Sequence, residues 1–464
     1  MHKKPKASRA QLWRNVSNFT SPCEDPAGVI SALSMGWVQR QCAQIALQKC
    51  SLRPLISRLV KAPSKLSMTG SSQAGTILIS GALDKDHYLR PAMSIAKELC
   101  MQNEDCRVLY GVPPDLPDNI LLPDGVEQFN LHRECGRPTV NSLLYFVKIW
   151  KIWKRNRPVL LSKKWISHER REILWASLQV EAYRSMLNRI GCKALVVMNE
   201  QHLPWSLVVS AAKSLSISVH HILHGGGASP LYVPFQADFL WTDFETTREA
   251  LIRFGGDGKK IKLAPGISQT APDHSISNTP FPAQLQGSKR RCLFLSQWSG
   301  WAQYGGRIFR DGLIEVAKVM AERTESWEVW LRAHPYDNGK MQQDAILEFT
   351  SRGVPIVCVD NNQPLREQAS HCDLVGAVFS TGVFEAIHCG VPAFVFWNED
   401  LKKLHGVPSL PDEWLVKKEG DLERIVDNLS DGNSSIDGVY KFLHVDKWNT
   451  APSKVAKSIL ESMS

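Results

Sequence analysis

Short runs of apolar residues recur along the chain, and most are followed by a segment with helical spacing. The run at 76–80 ends at Gly81, a helical pattern follows over 91–99, and a second apolar run occupies 107–110. Strands that are apolar throughout, rather than alternately apolar and polar, are typical of a parallel sheet covered by helices on both faces. The pattern therefore predicts an α/β fold.

The alternation forms two successive series of similar length. The first continues through apolar runs at 194–198, 217–222 and 239–242, and the second begins at 292–295. Residues 266–289 between them are poor in apolar side chains and hold three prolines, which is typical of a linker. We predict two Rossmann-like parallel-sheet domains that face each other across a cleft, with ligands at the carboxyl ends of the strands. The predicted segments are a basic extension and linker over 1–75, a first domain over 76–267, a linker over 268–289 and a second domain over 290–464. The tail after about residue 421 has two more helical patterns, one of which crosses back to the first domain in this interpretation.

Charge changes this picture at two places. The chain has 464 residues, 43% of them apolar and 22% charged, which is a globular composition that excludes extended disorder. Its net charge is +9, and residues 1–70 carry all of it, with eleven basic residues against two acidic ones. Within the remainder, 147–171 holds nine basic residues, three tryptophans and one acid. Two local basic surfaces on a neutral body indicate docking to something anionic, not a nucleic-acid-binding protein.

The compartment expected from the sequence is the cytoplasm, with contact at the inner membrane surface as a further expectation. No run of 18 uncharged apolar residues exists, and no apolar stretch follows the basic start. The eleven cysteines include no CxxC pair, so we expect reduced thiols and not a zinc or disulfide framework. The basic extension is either a solvated arm or a helix that binds a membrane surface or a partner, and the Trp-rich segment 147–171 is either core packing or a surface for glycans and headgroups.

Two strand ends in the second series carry candidate chemistry. Ser380, Thr381 and Gly382 lie where an apolar strand passes into a helix, and exposed backbone N–H groups at such a junction favour a phosphate. The alternative is an ordinary helix N-cap. Arg332 and His334 lie at another strand end, where the following proline keeps His334 extended, and both side chains can donate to phosphate oxygens. An ordinary loop histidine is the alternative there.

These motifs, taken together, resemble a known enzyme family. The matching stretches are Leu-Arg-Ala-His-Pro at 331–335, Asn-Gln-Pro-Leu-Arg at 362–366, Cys-Asp-Leu-Val at 372–375, Ser-Thr-Gly-Val-Phe-Glu-Ala at 380–386 and Gly-Val-Pro-Ala at 390–393. They resemble the donor half of GT-B glycosyltransferases, in the branch with bacterial sialyltransferases, capsule Kdo transferases and teichoic-acid glycerophosphotransferases. The resemblance covers about 100 residues.

The resemblance implies a donor site in the second domain. It assigns His334, Ser380 and Thr381 to the phosphate of a cytidine nucleotide donor, and Glu385 to the ribose hydroxyls. Ser296 and Gln297, which follow the first strand of the second domain, are expected to line the same cleft. Arg332 and Gly382 complete the predicted donor-binding set.

The first domain shows a weaker likeness to the same families. Residues 195–204 and 219–226 match their strand–acid–proline–helix–strand–His-Gly arrangement, which places His224 before a glycine run. The resemblance implies that His224 is the general base, with Glu200 as second choice. An imidazole with its ordinary pKa of about 6.5 suits removal of a proton from an acceptor hydroxyl. The alternative for the cluster of His220, His221 and His224 is a buried, hydrogen-bonded histidine beside a flexible loop.

Other catalytic classes lack motifs in this chain. Asp84-Lys85-Asp86-His87 spells an Asp-x-Asp but follows the first strand, so we expect a turn there and no metal site. No HExxH, EF-hand loop or GxxxxGK[ST] motif is present, so metalloprotease, calcium-binding and P-loop interpretations have no support, and no cofactor or metal is predicted.

The sequence thus predicts a glycosyltransferase of polysaccharide biosynthesis, of the kind that builds capsules. It would move a sugar from a nucleotide-activated donor, CMP- or CDP-linked in preference to UDP-linked, to a surface polysaccharide or glycolipid acceptor. Three alternatives stay open: a CDP-polyol glycerophosphotransferase, a nucleotide-sugar 2-epimerase, and an inactive GT-B platform for docking.

Overall fold

The computed structural model describes most of the chain from residue 75 onward. The described ranges are 75–80, 86–112, 122–134, 147, 151, 166–200, 205–223, 232–233, 235–269, 289–296, 302–334, 339–361, 363–378, 380–397, 410–432 and 435–463. The predicted basic extension and nearly all of the predicted linker lie outside them. The described residues form two compact units, one of residues up to 269 together with 450–463 and one of residues 289–449. Among the described helices, none is both long enough and apolar enough to cross a membrane.

The first unit is built around a parallel sheet. Its strands are β1 (Thr76–Ser80), β2 (Arg107–Val112), β3 (Val126–Asn130), β4 (Cys192–Val197), β5 (Ser218–Ile222), β6 (Phe239–Thr242) and β7 (Ile261–Leu263). They lie in the order β3-β2-β1-β4-β5-β6-β7, and every neighbouring pair is parallel. All five residues of β1 are buried, because helices cover both faces of the sheet, and this burial explains the uniformly apolar run.

The principal helices among the described residues of this unit lie before the linker. They are α1 (Asp86–Gln102), α2 (Leu131–Glu134), α3 (Ile166–Arg189), α4 (Trp205–Ser214) and α5 (Glu245–Arg253). Alternate strand residues face different cores: Leu78 packs with the buried residues of α3 and α4, whereas Ile77 and Ile79 pack with those of α1. Helix α3 begins within the basic, Trp-rich segment 147–171 of the sequence and continues to Arg189.

The second unit repeats the plan with six strands. These are β8 (Arg290–Leu295), β9 (Trp327–Arg332), β10 (Ile356–Cys358), β11 (Leu374–Ala377), β12 (Ala393–Phe396) and β13 (Leu415–Val416). Their order is β10-β9-β8-β11-β12-β13, again parallel throughout. The helices are α6 (Ala302–Ala321), α7 (Lys340–Ser351), α8 (Leu365–Ala369), α9 (Gly382–His388), α10 (Asp421–Ser430) and α11 (Asp437–Leu443).

The last helix, α12 (Ala451–Glu461), belongs to the first unit. Its residues Val455 and Ile459 join the core formed by α1 and the sheet. Gln102 at the end of α1 donates to the hydroxyl of Ser453 at 2.8 Å. The second unit therefore ends before α12 and not at residue 464, while the predicted return of a tail helix to the first unit is observed.

The predicted fold class is confirmed: the chain forms two α/β domains with parallel sheets of seven and six strands. Close packing inside the second sheet explains one glycine. A Cβ on Gly376 in β11 would lie 2.2 Å from the ring of Phe394 in the neighbouring strand β12, so the ring occupies the space that a larger residue would need.

Candidate functional site

The strand order marks one favoured ligand position in each sheet. In the second unit β8 lies beside β11, with β9 and β10 on one side and β12 and β13 on the other. Open parallel sheets bind ligands beyond the carboxyl ends of the strands at such a reversal of strand order. Ser296 directly follows β8, His334 follows β9 by two residues, and Ser380 follows β11 by three. Three of the predicted donor residues thus lie at the ends of three adjacent strands.

Ser296 connects the ends of β8 and β9. Its hydroxyl accepts the backbone N–H of His334 at 3.1 Å, and its own N–H donates to the carbonyl of Arg332 at 2.9 Å. The side chain of Ser296 is almost fully buried, whereas His334 is half-buried. Ser296 therefore holds the backbone that carries His334. Gln297, predicted beside it, lies outside the described residues.

Ser380 and Thr381 lead into helix α9. The Ser380 hydroxyl accepts the N–H of Gly382 at 3.2 Å, while Thr381 occupies the N-cap position without a side-chain capping bond. Both side chains are half-buried. An added Cβ on Gly382 would approach side-chain atoms of Leu365 and Leu295 to 2.6 and 2.8 Å. A glycine at 382 therefore lets α9 begin close to α8 and to the end of β8.

Arg332 is engaged with the neighbouring loop. Its guanidinium donates to the carbonyl of Gln363 at 2.9 Å, to the carbonyl of Asn361 at 3.3 Å and to the side-chain oxygen of Gln368. Gln368 is fully buried and donates to the carbonyl of Asp360 at 2.6 Å. Planar guanidinium groups suit several acceptors held at once. The sequence prediction placed Arg332 on a donor phosphate, whereas in this structure its N–H groups hold the loop between β10 and α8.

Glu385 lies in the first turn of α9 and is half-buried. It is three residues beyond Gly382, so the two residues lie about one turn apart on the same side of α9.

Glu200 lies near the corresponding position of the first unit, where β1 and β4 are neighbours. It follows β4 by three residues and has no exposed surface. Its two carboxylate oxygens accept the backbone N–H groups of Gln236 and Ala237, at 3.2 and 3.1 Å. Since β5 lies between β4 and β6 in the sheet, Glu200 links the end of β4 to the segment that enters β6. It presents no oxygen to solvent, which a general base acting on an acceptor needs.

The two histidines of β5 face opposite sides of the sheet, and both are fully buried. His221 has its Nδ1 atom 3.6 Å from Glu200, and neither ring nitrogen has a hydrogen-bond partner among the described residues. His220 is hydrogen-bonded: its Nδ1 accepts from the indole of Trp241 at 3.2 Å, and its Nε2 is 3.1 Å from the hydroxyl of Ser462. Burial lowers the pKa of His220 to about 4, so the ring is neutral at pH 7. The alternative of a buried, hydrogen-bonded histidine therefore holds for His220.

His224, the predicted base, lies outside the described residues, as do the glycines after it. The last described residue before His224 is Leu223, whose N–H donates to the carbonyl of Trp241 at 2.9 Å. The next described residues are Tyr232 and Val233. The beginning and the end of the segment that carries His224 are thus held, at Leu223 and, through Glu200, at 236–237.

Asp243 is a buried carboxyl group that the sequence analysis missed. It directly follows β6, and its oxygens accept the N–H of Ser268 at 2.8 Å and the Ser268 hydroxyl. Burial raises the pKa of Asp243 to about 7, against the opposing effect of the two Ser268 bonds. Its position, directly after a buried apolar strand, is the signal by which it could have been found.

Among the described residues, no group of three His, Cys, Asp or Glu side chains is placed to hold a metal ion. The first two residues of the Asp84–His87 motif, and the side chains of its last two, lie outside the described part of the chain.

Comparisons with known proteins add only distant likenesses. No family model matches the chain, and no curated protein matches it. Similar solved structures include a putative UDP-N-acetylglucosamine 2-epimerase from Listeria monocytogenes, which is 13% identical over 83% of this chain and 95% of that one, with a TM-score of 0.49. The wall teichoic acid polymerase TagF is 13% identical over 84% of this chain and 89% of that one, with a TM-score of 0.46. The trehalose-6-phosphate synthase OtsA is 12% identical over 84% of this chain and 98% of that one, with a TM-score of 0.46. At TM-scores below 0.5 these likenesses carry no argument about function.

Proposed function

We propose that the chain is a glycosyltransferase that uses a nucleotide-activated sugar, CMP- or CDP-linked in preference to UDP-linked, and a surface polysaccharide or glycolipid acceptor. One observation carries the proposal. Residues from three separate stretches, Ser296, His334 and Ser380, follow three adjacent strands beside the reversal of strand order in the second unit. That is where a parallel α/β sheet binds a nucleotide.

In this proposal the donor phosphate is held by side chains of the second unit. The imidazole of His334 and the hydroxyls of Ser380 and Thr381 donate to phosphate oxygens, and all three side chains are half-buried, so part of each is accessible. Glu385 accepts from the ribose hydroxyls, and Gln297 lines the same edge. Ser296 and Arg332 act on the backbone: the first holds His334 and the second holds the loop 361–363.

The reaction is a displacement at the activated sugar carbon. The acceptor oxygen forms the new bond to that carbon, the bond from the carbon to the phosphate oxygen breaks, and the nucleotide leaves with the electron pair. The same donors then stabilise the charge that grows on the phosphate. His224 takes the proton of the acceptor hydroxyl. Glu200, because it is buried and bonded to 236–237, positions the segment that carries His224 and does not act as the base.

The experiment is a panel of CMP-, CDP- and UDP-activated sugars with glycan acceptors, followed by nucleotide release and product mass. We expect His334→Ala to weaken donor binding. His371→Ala is the matched control, because His371 precedes β11 and lies at the opposite edge of the same sheet. We expect His224→Ala to abolish transfer while donor binding is kept. Full transfer activity in His224→Ala would contradict the assignment of the base.

The same panel separates the alternatives. A product heavier by phosphoglycerol indicates a CDP-glycerol transferase, and a donor epimer without any acceptor product indicates a 2-epimerase. Binding of anionic polymer with no turnover of any donor indicates a docking platform. For the basic extension 1–70, we propose contact with the membrane surface, tested by sedimentation of the full chain and of a chain starting at residue 71 with anionic vesicles.

A further inference from the structure

A depression in the first unit lies beside β7, the last strand of the sheet. Its volume is about 370 Å³, which is within the range of small-ligand pockets. Its charged lining residues are Glu245, Arg248, Lys259, Lys262 and Lys454. Four cations against one carboxylate leave three positive charges in excess. None of these residues belongs to the strand-end sites described above.

Two of the four cations are held in place by the backbone. As β7 ends the sheet, the carbonyls on its outer side have no partner among the described strands. The carbonyl of Ile261 accepts from Arg248 Nε at 3.3 Å, and that of Leu263 accepts from Lys454 Nζ at 2.8 Å. Arg248 also pairs with Glu245 at 2.5 Å. Cations already ordered in this way lose little conformational freedom when an anion binds.

The other two cations have no acidic partner. Lys259 and Lys262 form no ion pair among the described residues, and Lys262 Nζ lies 5.6 Å from the centre of the Phe239 ring. Asp257 is close in sequence, but its carboxylate accepts the backbone N–H of Lys259 at 3.0 Å and it does not line the depression. The three uncompensated charges are therefore those of Lys259, Lys262 and Lys454, since a backbone carbonyl does not neutralise the ammonium group of Lys454.

We propose that this depression binds an anionic saccharide, with a phosphate or carboxylate group of one sugar unit placed between Lys259, Lys262 and Lys454. Charge complementarity selects an anion. A depression favours a small group that can enter it, in preference to a flat ligand such as a membrane surface. The saccharide part rests on the proposed function, in which His224 of the first unit takes the proton of the glycan acceptor. The anion part rests on the charges alone. The site is an accessory one that would hold an acceptor chain away from the reacting hydroxyl.

The test uses trigalacturonate as a carboxylate-bearing probe, maltotriose as its neutral counterpart and inorganic pyrophosphate as the free anion, each titrated into the full chain by calorimetry. We expect trigalacturonate to bind and maltotriose not to bind. We expect Lys259→Gln/Lys262→Gln to weaken the binding of trigalacturonate about tenfold, the effect of losing two solvent-exposed ion pairs. Raising the salt concentration from 50 to 200 mM should lower the affinity for trigalacturonate more in the wild type than in the variant.

The matched control is Lys193→Gln/Lys441→Gln, which removes the same charge from two exposed lysines outside the depression. Equal affinity in wild type and Lys259→Gln/Lys262→Gln overturns the proposal, as does the absence of binding by both trigalacturonate and pyrophosphate. If the wild type binds pyrophosphate but not trigalacturonate, and the variant loses pyrophosphate binding, the saccharide part of the proposal is overturned. Vesicle binding that is lost in the variant, again without trigalacturonate binding, identifies a lipid headgroup instead.

Nucleotide binding is measured on the same variants to keep the two proposals apart. Lys259 and Lys262 are in the first unit, so we expect unchanged affinity for CMP and CDP. If no nucleotide binds any variant but trigalacturonate still depends on the two lysines, the proposed function fails and the anion site stands.

Discussion

Protonation of His220 should release the C-terminal helix α12. The ring lies on the sheet face that α12 covers, and it accepts a hydrogen bond from Trp241 through Nδ1 while Nε2 contacts Ser462. A proton on Nδ1 would replace that acceptor by a donor facing the indole N–H. Because the ring is also fully buried, the native state resists the charge.

The magnitude follows from the two pKa values. Burial lowers the pKa of His220 to about 4 in the folded chain, against an ordinary 6.5. A depressed pKa means that stability is complete above pH 6.5 and is lost as the pH falls from 6.5 towards 4. Each pH unit in that window removes about 1.4 kcal/mol, so the whole window corresponds to about 3 kcal/mol.

Hydrogen exchange of peptides from 451–463, corrected for the pH dependence of the intrinsic exchange rate, measures the local stability of α12. This measurement does not depend on unfolding of the second unit. In the wild type we expect protection of α12 to fall about tenfold for each pH unit below 6.5. In His220→Gln, which keeps a neutral donor, protection should be lower overall but independent of pH. Ser462→Ala is the control, since it removes a partner of His220 yet leaves the titrating ring and hence the slope. Equal slopes in the wild type and His220→Gln would refute the reasoning.

Three further predictions concern buried contacts. Burial raises the pKa of Asp243 to about 7 from an ordinary 3.8, so the native state loses stability as the pH rises from about 4 to 7. In Asp243→Asn, the free energy of unfolding measured in urea should no longer fall with pH over this range. Gly376→Ala should destabilise the second unit by about 1–3 kcal/mol because its Cβ meets the Phe394 ring, and adding Phe394→Leu should restore part of the loss in denaturant midpoint. Arg332→Lys should lower hydrogen-exchange protection of 360–369, because an ammonium group cannot reproduce the planar contacts to three acceptors, and unchanged protection would show that those contacts are dispensable.

Strands buried on both faces could be predicted from the sequence, whereas strands at the edge of a sheet could not. β1, β4 and β8 are covered on both faces, and their apolar runs predicted them directly. β3 and β7 end the first sheet, so part of each faces solvent, and Val-Glu-Gln-Phe-Asn and Ile-Lys-Leu do not stand out as apolar runs. For the tail, spacing indicates an amphipathic helix, but only the folded chain shows its contact with α1.

The candidate site was predictable to the extent that topology alone places it. Parallel strands end at one edge, so residues after β9 and β11 had to share that edge once the two strands belonged to one sheet. Hydrogen-bond partners were not predictable, because residue type does not show what a side chain contacts. For this reason Arg332 was assigned to phosphate although it holds loop carbonyls, and Glu200 was kept as a base although backbone N–H groups occupy it.

The central claim is that the second unit binds a nucleotide through His334, and thermal unfolding with CMP, CDP, UDP, GDP and dTDP tests it most directly. A ligand at 100 times its Kd stabilises the native state by about 2.7 kcal/mol, which shifts the midpoint measurably. We expect a cytidine nucleotide to stabilise the wild type and His371→Ala, and this stabilisation to be lost in His334→Ala. Stabilisation that persists in His334→Ala, or none with any of the five nucleotides, would contradict the central claim.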